Sequence, residues 1–233
     1  MNKIALGLFI FFSASKVVTM KPTSKTILAK IEQPSGICVT DDGHYFIASN
    51  EGHLCEISAD GKLIRSEKLG MDPEDVCAVD TMLYVVDESL RLVYVLGEKS
   101  WKQYSSHKVE FSGAMNKGFE SITYIPEKKH FILITEKQPS LLIETDDQFT
   151  EVNEYNIKGL SDVSSASYHN NALWLLSDED HVVVKTDPND FSMLNKWSVP
   201  VFNPEGLSFD ADGSMRIVSD DMRKMYIFPN PEK

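Results

Sequence analysis

Cysteine is scarce, and so is positive charge. Cys38, Cys55 and Cys77 are the three cysteines in 233 residues. The odd count leaves at least one thiol unpaired. No CxxC and no Cys/His ligand spacing is present, which removes the familiar structural zinc sites. Cys38 and Cys77 follow the first apolar residue of neighbouring repeats and read as small core residues on strands. Lys and Arg number 23 against 35 Asp and Glu, a formal charge of −12. Such a surface repels phosphate backbones and anionic lipid, so nucleic acid is not an expected partner. The chain also lacks GxSxG, HExxH, a glycine-rich phosphate loop and an EF-hand pattern, so no catalytic residue is named. The six histidines are scattered without ligand spacing, and no long helical period occurs.

What the chain has is a short phrase repeated five times. It reads PSGICV at 34–39, PEDVCAV at 73–79, FESITYI at 119–125, VSSASYH at 163–169 and PEGLSF at 204–209. The equivalent positions Ser35, Glu74, Glu120, Ser164 and Glu205 are 39, 46, 44 and 41 residues apart. Each phrase precedes two further apolar runs, such as LYVVDES and LVYVL in the second repeat. A period of about 40–45 residues built from short strands is the mark of a β-propeller blade. One repeat cannot bury both of its faces, so the repeats must stack around an axis.

Turn residues separate the runs. Asp41–Asp42–Gly43, Pro126–Glu127–Lys128, His169–Asn170–Asn171 and Asp210–Ala211–Asp212–Gly213 lie between first and second strands. Stretches 62–69, 102–111, 149–157 and 195–200 supply fourth strands for the first four repeats. The fifth repeat ends at MYIFPNPEK with no fourth strand left. The strand-like segment 26–31 has no partner in its own repeat, so it is expected to pair with 224–228 and close the ring. The expected fold is therefore a five-bladed propeller spanning 26–233. A sixth blade would have to fit within 98–118, which is too short.

The N-terminus reads differently. Met1–Asn2–Lys3 precedes the apolar run Ile4–Phe12 and the small residues Ser13–Ala14–Ser15. This is the pattern of a secretory signal over 1–15, cleaved or kept as an anchor, followed by a linker at 16–25. The run is too short to span a bilayer by itself as a mature helix. The protein is expected in the periplasm or cell envelope, as a monomer.

In a propeller the start of each first strand and the turn between second and third strands share one face, because neighbouring strands run antiparallel. Ser35, Glu74, Glu120, Ser164 and Glu205 form one ring there, with Asp75 and Asp162 beside it. Asn50–Glu51, Asp87–Glu88, Glu136, Asp178–Glu179–Asp180 and Asp220–Asp221 form another. At about 6 Å and an effective dielectric near 20, each glutamate pair costs about 3 kcal/mol. A divalent cation shared by Glu74, Glu120 and Glu205 would offset that, and Ca²⁺ suits such oxygen ligands. Two other readings remain open: the glutamates accept backbone hydrogen bonds and set the blade angle, or they touch a ligand directly. Basic residues follow the acidic turns at Arg91, Lys137, His181 and Arg223–Lys224. They read as solvated turn charge, or as groups that hold a small anionic ligand against a bound cation.

Residues 118–144, 162–187 and 203–221 resemble the SdiA-regulated, or YjiK, family. The matching residues are Glu120, Glu136, Lys137 and Pro139; Asp162, Ser164, Ser177 and Asp178; and Glu205, Gly206, Asp212, Gly213 and Ser219. Ser121 and Ser165 stand where the family usually has glycine, and Asp221 replaces a common glutamate. The resemblance covers about residues 30–228. It implies an exported bacterial envelope propeller, calcium-linked in some members and likened to propeller phytases. That leaves three functions to weigh: a non-enzymatic propeller binding Ca²⁺ or a protein partner, a calcium-dependent phytase-like phosphoric-ester hydrolase, and a scaffold that uses only the blade rims.

Overall fold

The computed structural model describes residues 17–110, 118–135 and 140–233. Within them the chain forms five sheets, antiparallel except for one short parallel edge strand, and no helix. The inner strands are Pro34–Val39, Pro73–Val79, Phe119–Ile125, Ser165–His169 and Pro204–Phe209. Each pairs with the next strand of its own repeat, so every sheet starts at the axis; the first three run outward in sequence order, and the last two each end on an N-terminal strand. The architecture is a five-bladed β-propeller, as the repeat predicts.

Packing explains why blades form. The second strands are buried on both sides; Tyr45–Ser49 and Ala172–Ser177 are buried throughout. Five apolar layers result, each drawn from two neighbouring blades. Phe46, Ala48 and Leu54 of the first blade meet Val76, Leu83 and Val85 of the second. Trp174 of the fourth meets Phe209, Met215 and Phe228 of the fifth. The fourth strands are largely exposed, which fits their charged and polar sequences. Cys38, Cys55 and Cys77 are buried free thiols, with burial first among the causes that raise each pKa.

Closure occurs, but in a different register from the one expected. The strand that completes the fifth blade is Ser24–Ile27, paired antiparallel with Lys224–Phe228. The expected stretch 26–31 instead turns inward after Ile27. Leu28 and Ile31 are buried against the layer that the first blade shares with Val218 and Met225. The stretch 16–25, expected as a linker, also adds structure: Val18–Thr19 pairs in parallel with the outer strand Met193–Ser198 of the fourth blade. Met20, just after it, is buried in the layer between fourth and fifth blades. The expected signal or anchor at 1–15 lies outside the described residues.

Near the axis the blades are locked by close contacts at one repeat position, occupied by Gly36, Asp75, Ser121, Ser165 and Gly206. Asp75 accepts hydrogen bonds from Ser121 Oγ (2.5 Å) and the Ile122 amide (3.0 Å) of the third blade. Ser121 Oγ in turn accepts from the Ala166 amide (2.8 Å), and Ser165 Oγ from the Leu207 amide (3.1 Å). A Cβ on Gly36 would lie 2.0 Å from Asp75 Oδ1, and one on Gly206 would lie 2.3 Å from the Ser35 carbonyl oxygen. The fifth-to-first contact thus requires glycine. Gly206→Ala is expected to lower the unfolding free energy by about 2 kcal/mol or more, as overpacked sites do. A chemical denaturation midpoint equal to wild type would contradict this contact.

Candidate functional site

The register of four inner strands slips next to the ring position. The slips fall between Pro34 and Ile37, Pro73 and Asp75, Phe119 and Ser121, and Pro204 and Gly206. A bulge re-aims a side chain and ends regular pairing. Ser35, Glu74, Glu120 and Glu205 occupy these slips at the mouth of the channel. Ser164, just before the fourth inner strand, donates its hydroxyl to the Pro204 carbonyl at 2.8 Å.

Glu74 is the buried glutamate of the ring, 6% exposed. Its Oε2 accepts a 2.9 Å hydrogen bond from Ser35 Oγ of the neighbouring blade. Burial pushes its carboxyl up to about 8; Ser35 and Asn50 pull it down, while Glu88 and Asp72 push it up. Glu74, Asp72 and Glu88 each offer a carboxylate oxygen within 4.8 Å of the others. Such spacing fits one ion with oxygen ligands at 2.3–2.6 Å. Asp72 is held in place by its neighbours: its Oδ2 accepts from Ser89 Oγ at 2.8 Å, and its amide donates to Asp87 Oδ2 at 3.3 Å. Three hard oxygen donors, one of them desolvated, make chemical sense as a cation site.

Glu205 belongs to a second acidic group. Burial raises its carboxyl to about 7, and Asp178, Asp220, Asp162 and Asp221 add to the shift in that order. Asp220 is also raised, by burial and then by Asp221. Asp162 is pinned: its Oδ1 accepts from Ser177 Oγ at 2.5 Å and from the Glu179 amide at 3.1 Å. The expected single ring is therefore resolved into two groups across one face. Glu74 joins Asp72 and Glu88; Glu205 joins aspartates of the fourth and fifth blades. Glu120, half-buried on the third blade, is not a member of the tight cluster.

Asp72 escaped the sequence reading. The signal was present, because Asp72 and Asp162 hold the same repeat position, two residues before Glu74 and Ser164. The residues Glu136, Lys137 and Pro139 lie outside the described residues. Of the basic residues read beside the acidic turns, Arg223 is committed to the fold. It donates to the Ile31 carbonyl (Nε) and the Ala29 carbonyl (Nη2), both at 3.2 Å, and pairs with Glu32 at 3.4 Å.

The profile of the SdiA-regulated family matches residues 24–228. The chain belongs to that family. No curated protein matches its sequence. Among solved structures, a Myxococcus xanthus glutaminyl cyclase shares the fold at a TM-score of 0.76 and 14% identity, covering 91% of this chain and 97% of that one. A Staphylococcus aureus virginiamycin B lyase, a catalytically inactive variant determined with quinupristin, gives 0.54 and 15%, covering 84% and 66%. A streptogramin B lyase gives 0.51 and 11%, covering 89% and 72%. At these identities the likeness to all three is one of fold.

The raised carboxyls of this SdiA-regulated propeller set a pH dependence. Glu74, Asp75 and Glu205 hold their protons to about 8, 7 and 7 when folded. Their unfolded values lie near 4. Between those limits the unfolded chain releases protons that the folded chain keeps, so stability falls as pH rises. Without divalent cations, the midpoint of denaturation should decline from pH 5 to pH 9. Glu74→Gln should match wild type at pH 5 and exceed it at pH 9. A flat wild-type profile would contradict the assignment.

Proposed function

We propose that this protein is an exported, envelope-located propeller that binds a divalent cation, Ca²⁺, at Asp72, Glu74 and Glu88. The acidic face carrying that ion then receives a small anionic ligand or a protein partner. The observation that carries this reading is the convergence of three carboxylates around a glutamate cut off from water. A divalent ion turns their mutual repulsion into attraction. Glu120 and Glu205, on the same face, extend the negative field through which a cation approaches. Export rests on the signal-like residues 1–15 and on the resemblance to envelope propellers.

The competing reading is a calcium-dependent phosphoric-ester hydrolase. Such an enzyme needs cationic side chains free to clamp phosphate beside the metal. Arg223 spends its guanidinium on two backbone carbonyls and Glu32, which weighs against that reading. The neighbours' activities are not carried over to this chain.

Ca²⁺ should raise the melting temperature at pH 8. With a Kd of about 10 µM, 1 mM Ca²⁺ adds about 2.7 kcal/mol, or roughly 5–10 °C for a chain of this size. The gain should shrink at pH 5.5, where Glu74 holds its proton and competes with the ion. Glu74→Gln should abolish most of it, and Glu154→Gln on an exposed outer strand should leave it intact. Indifference of wild-type melting to Ca²⁺ and chelator would overturn the cation site. N-terminal sequencing of protein from the producing cell should begin near residue 16; an intact Met1 on a membrane fraction would identify an anchor instead.

A further inference from the structure

The channel opens a second time, at the opposite face, where the inner strands end. A cavity of about 850 Å³ lies there, with Asp75 in its wall and the turns after all the inner strands but the fourth reaching its rim through Asp41, Asp80, Pro126 and Asp210. Its volume is within the range of small-molecule sites. Its wall is aromatic in every blade but the second: Tyr45, Tyr124, Tyr168, His169 and Phe209. His169 and Phe209 stack at 4.7 Å with their planes 7° apart, which makes one flat face. Burial lowers the pKa of His169, so its ring is neutral at pH 7 and the stack carries no charge of its own.

The same wall already seats one cation. The guanidinium of Arg216 lies 4.2 Å from the centroid of the Tyr45 ring, and its Nε donates to both oxygens of Asp210 at 2.8 and 3.0 Å. An aromatic face and a carboxylate thus hold a cation between the fifth and first blades. The pattern repeats elsewhere around the mouth without an internal cation. Tyr168 donates its hydroxyl to Glu127 at 2.7 Å, and Asp80 lines the cavity with Tyr124, whose hydroxyl pKa is raised by burial first, then by Asp147 and Asp80. Among the described residues, neither Glu127 nor Asp80 has a cationic side chain paired with it. Asp41, Asp80 and Asp212 line the cavity against a single lysine, Lys129.

We propose that this second mouth binds an organic ammonium ion, seated on Tyr124 and Tyr168 and drawn in by Asp80 and Glu127. The electron-rich ring faces attract a cation that sheds part of its water, and the acidic rim concentrates it. Inorganic cations hold their hydration more tightly and suit the carboxylate face better.

The test uses full-length, isotope-labelled protein at low salt, titrated with choline and, separately, with its neutral isostere 3,3-dimethylbutan-1-ol. Choline should shift amide resonances around Tyr124 and Tyr168 in a saturable way, and the alcohol should bind at least fivefold more weakly. Tyr124→Leu should weaken choline about fivefold, Tyr124→Phe should retain it, and Asp80→Asn should weaken it two- to threefold. Asp80 is an exposed turn residue, so its variant reports on binding even where Tyr124→Leu fails to fold. Glu74→Gln should leave choline binding unchanged. Equal binding of the neutral alcohol would overturn the proposal. So would shifts confined to the carboxylate face, or no binding by folded wild type at tens of millimolar.

Discussion

Everything in this molecule depends on how closely five inner strands approach one another around the axis. Five sheets can share an axis only if their innermost residues meet without clashing and without stranding polar groups. One repeat position satisfies both demands. Where backbone meets backbone, as at Gly206 against Ser35, the side chain is missing altogether. Where the gap is wider, a short polar side chain spans it: Asp75 to the third blade, Ser121 to the fourth, Ser165 to the fifth. A buried hydrogen bond left unmade costs about 1–3 kcal/mol, so these positions leave little freedom.

The acidic face follows from that closure. The bulges that let the inner strands converge also turn the ring residues toward the channel mouth. Glu74 is brought against Ser35 of the next blade and out of water by the same geometry. Its raised carboxyl is thus a consequence of tight closure, and a bound cation would relieve it. The opposite mouth is differently lined. Tyrosines and the His169–Phe209 stack form its wall together with aspartates. One channel therefore presents two chemistries, hard oxygen donors at one end and π faces at the other.

Much of this was legible in the sequence. The 39- to 46-residue spacing specified the blades, and the unpaired last repeat specified closure by the N-terminus. The register of that closure was not legible. An apolar segment such as 26–31 satisfies strand patterning in either position, and only the pocket that takes Leu28 and Ile31 decides between them. Ser121 and Ser165 read as departures from a glycine pattern; in the structure their hydroxyls accept amide hydrogen bonds between blades. Glu74, Glu120 and Glu205 were placed on the correct face by repeat position alone. Their division into two groups depends on side-chain neighbours such as Asp72 and Asp178, and a one-dimensional alignment of repeats does not weigh distance.

The strand Ser24–Ile27 has a bearing on how the chain is made. Thr23 Oγ1 donates to the Ile227 carbonyl across 204 residues of sequence, close to the largest separation the chain allows. On a ribosome, Thr23 emerges 204 residues before Ile227. The fifth blade therefore stays open until Lys224–Phe228 has been made. Loop-closure entropy of that size makes the final pairing slow relative to the local hairpins of the other four blades. A nascent chain of this kind remains incompletely closed until that last strand is available.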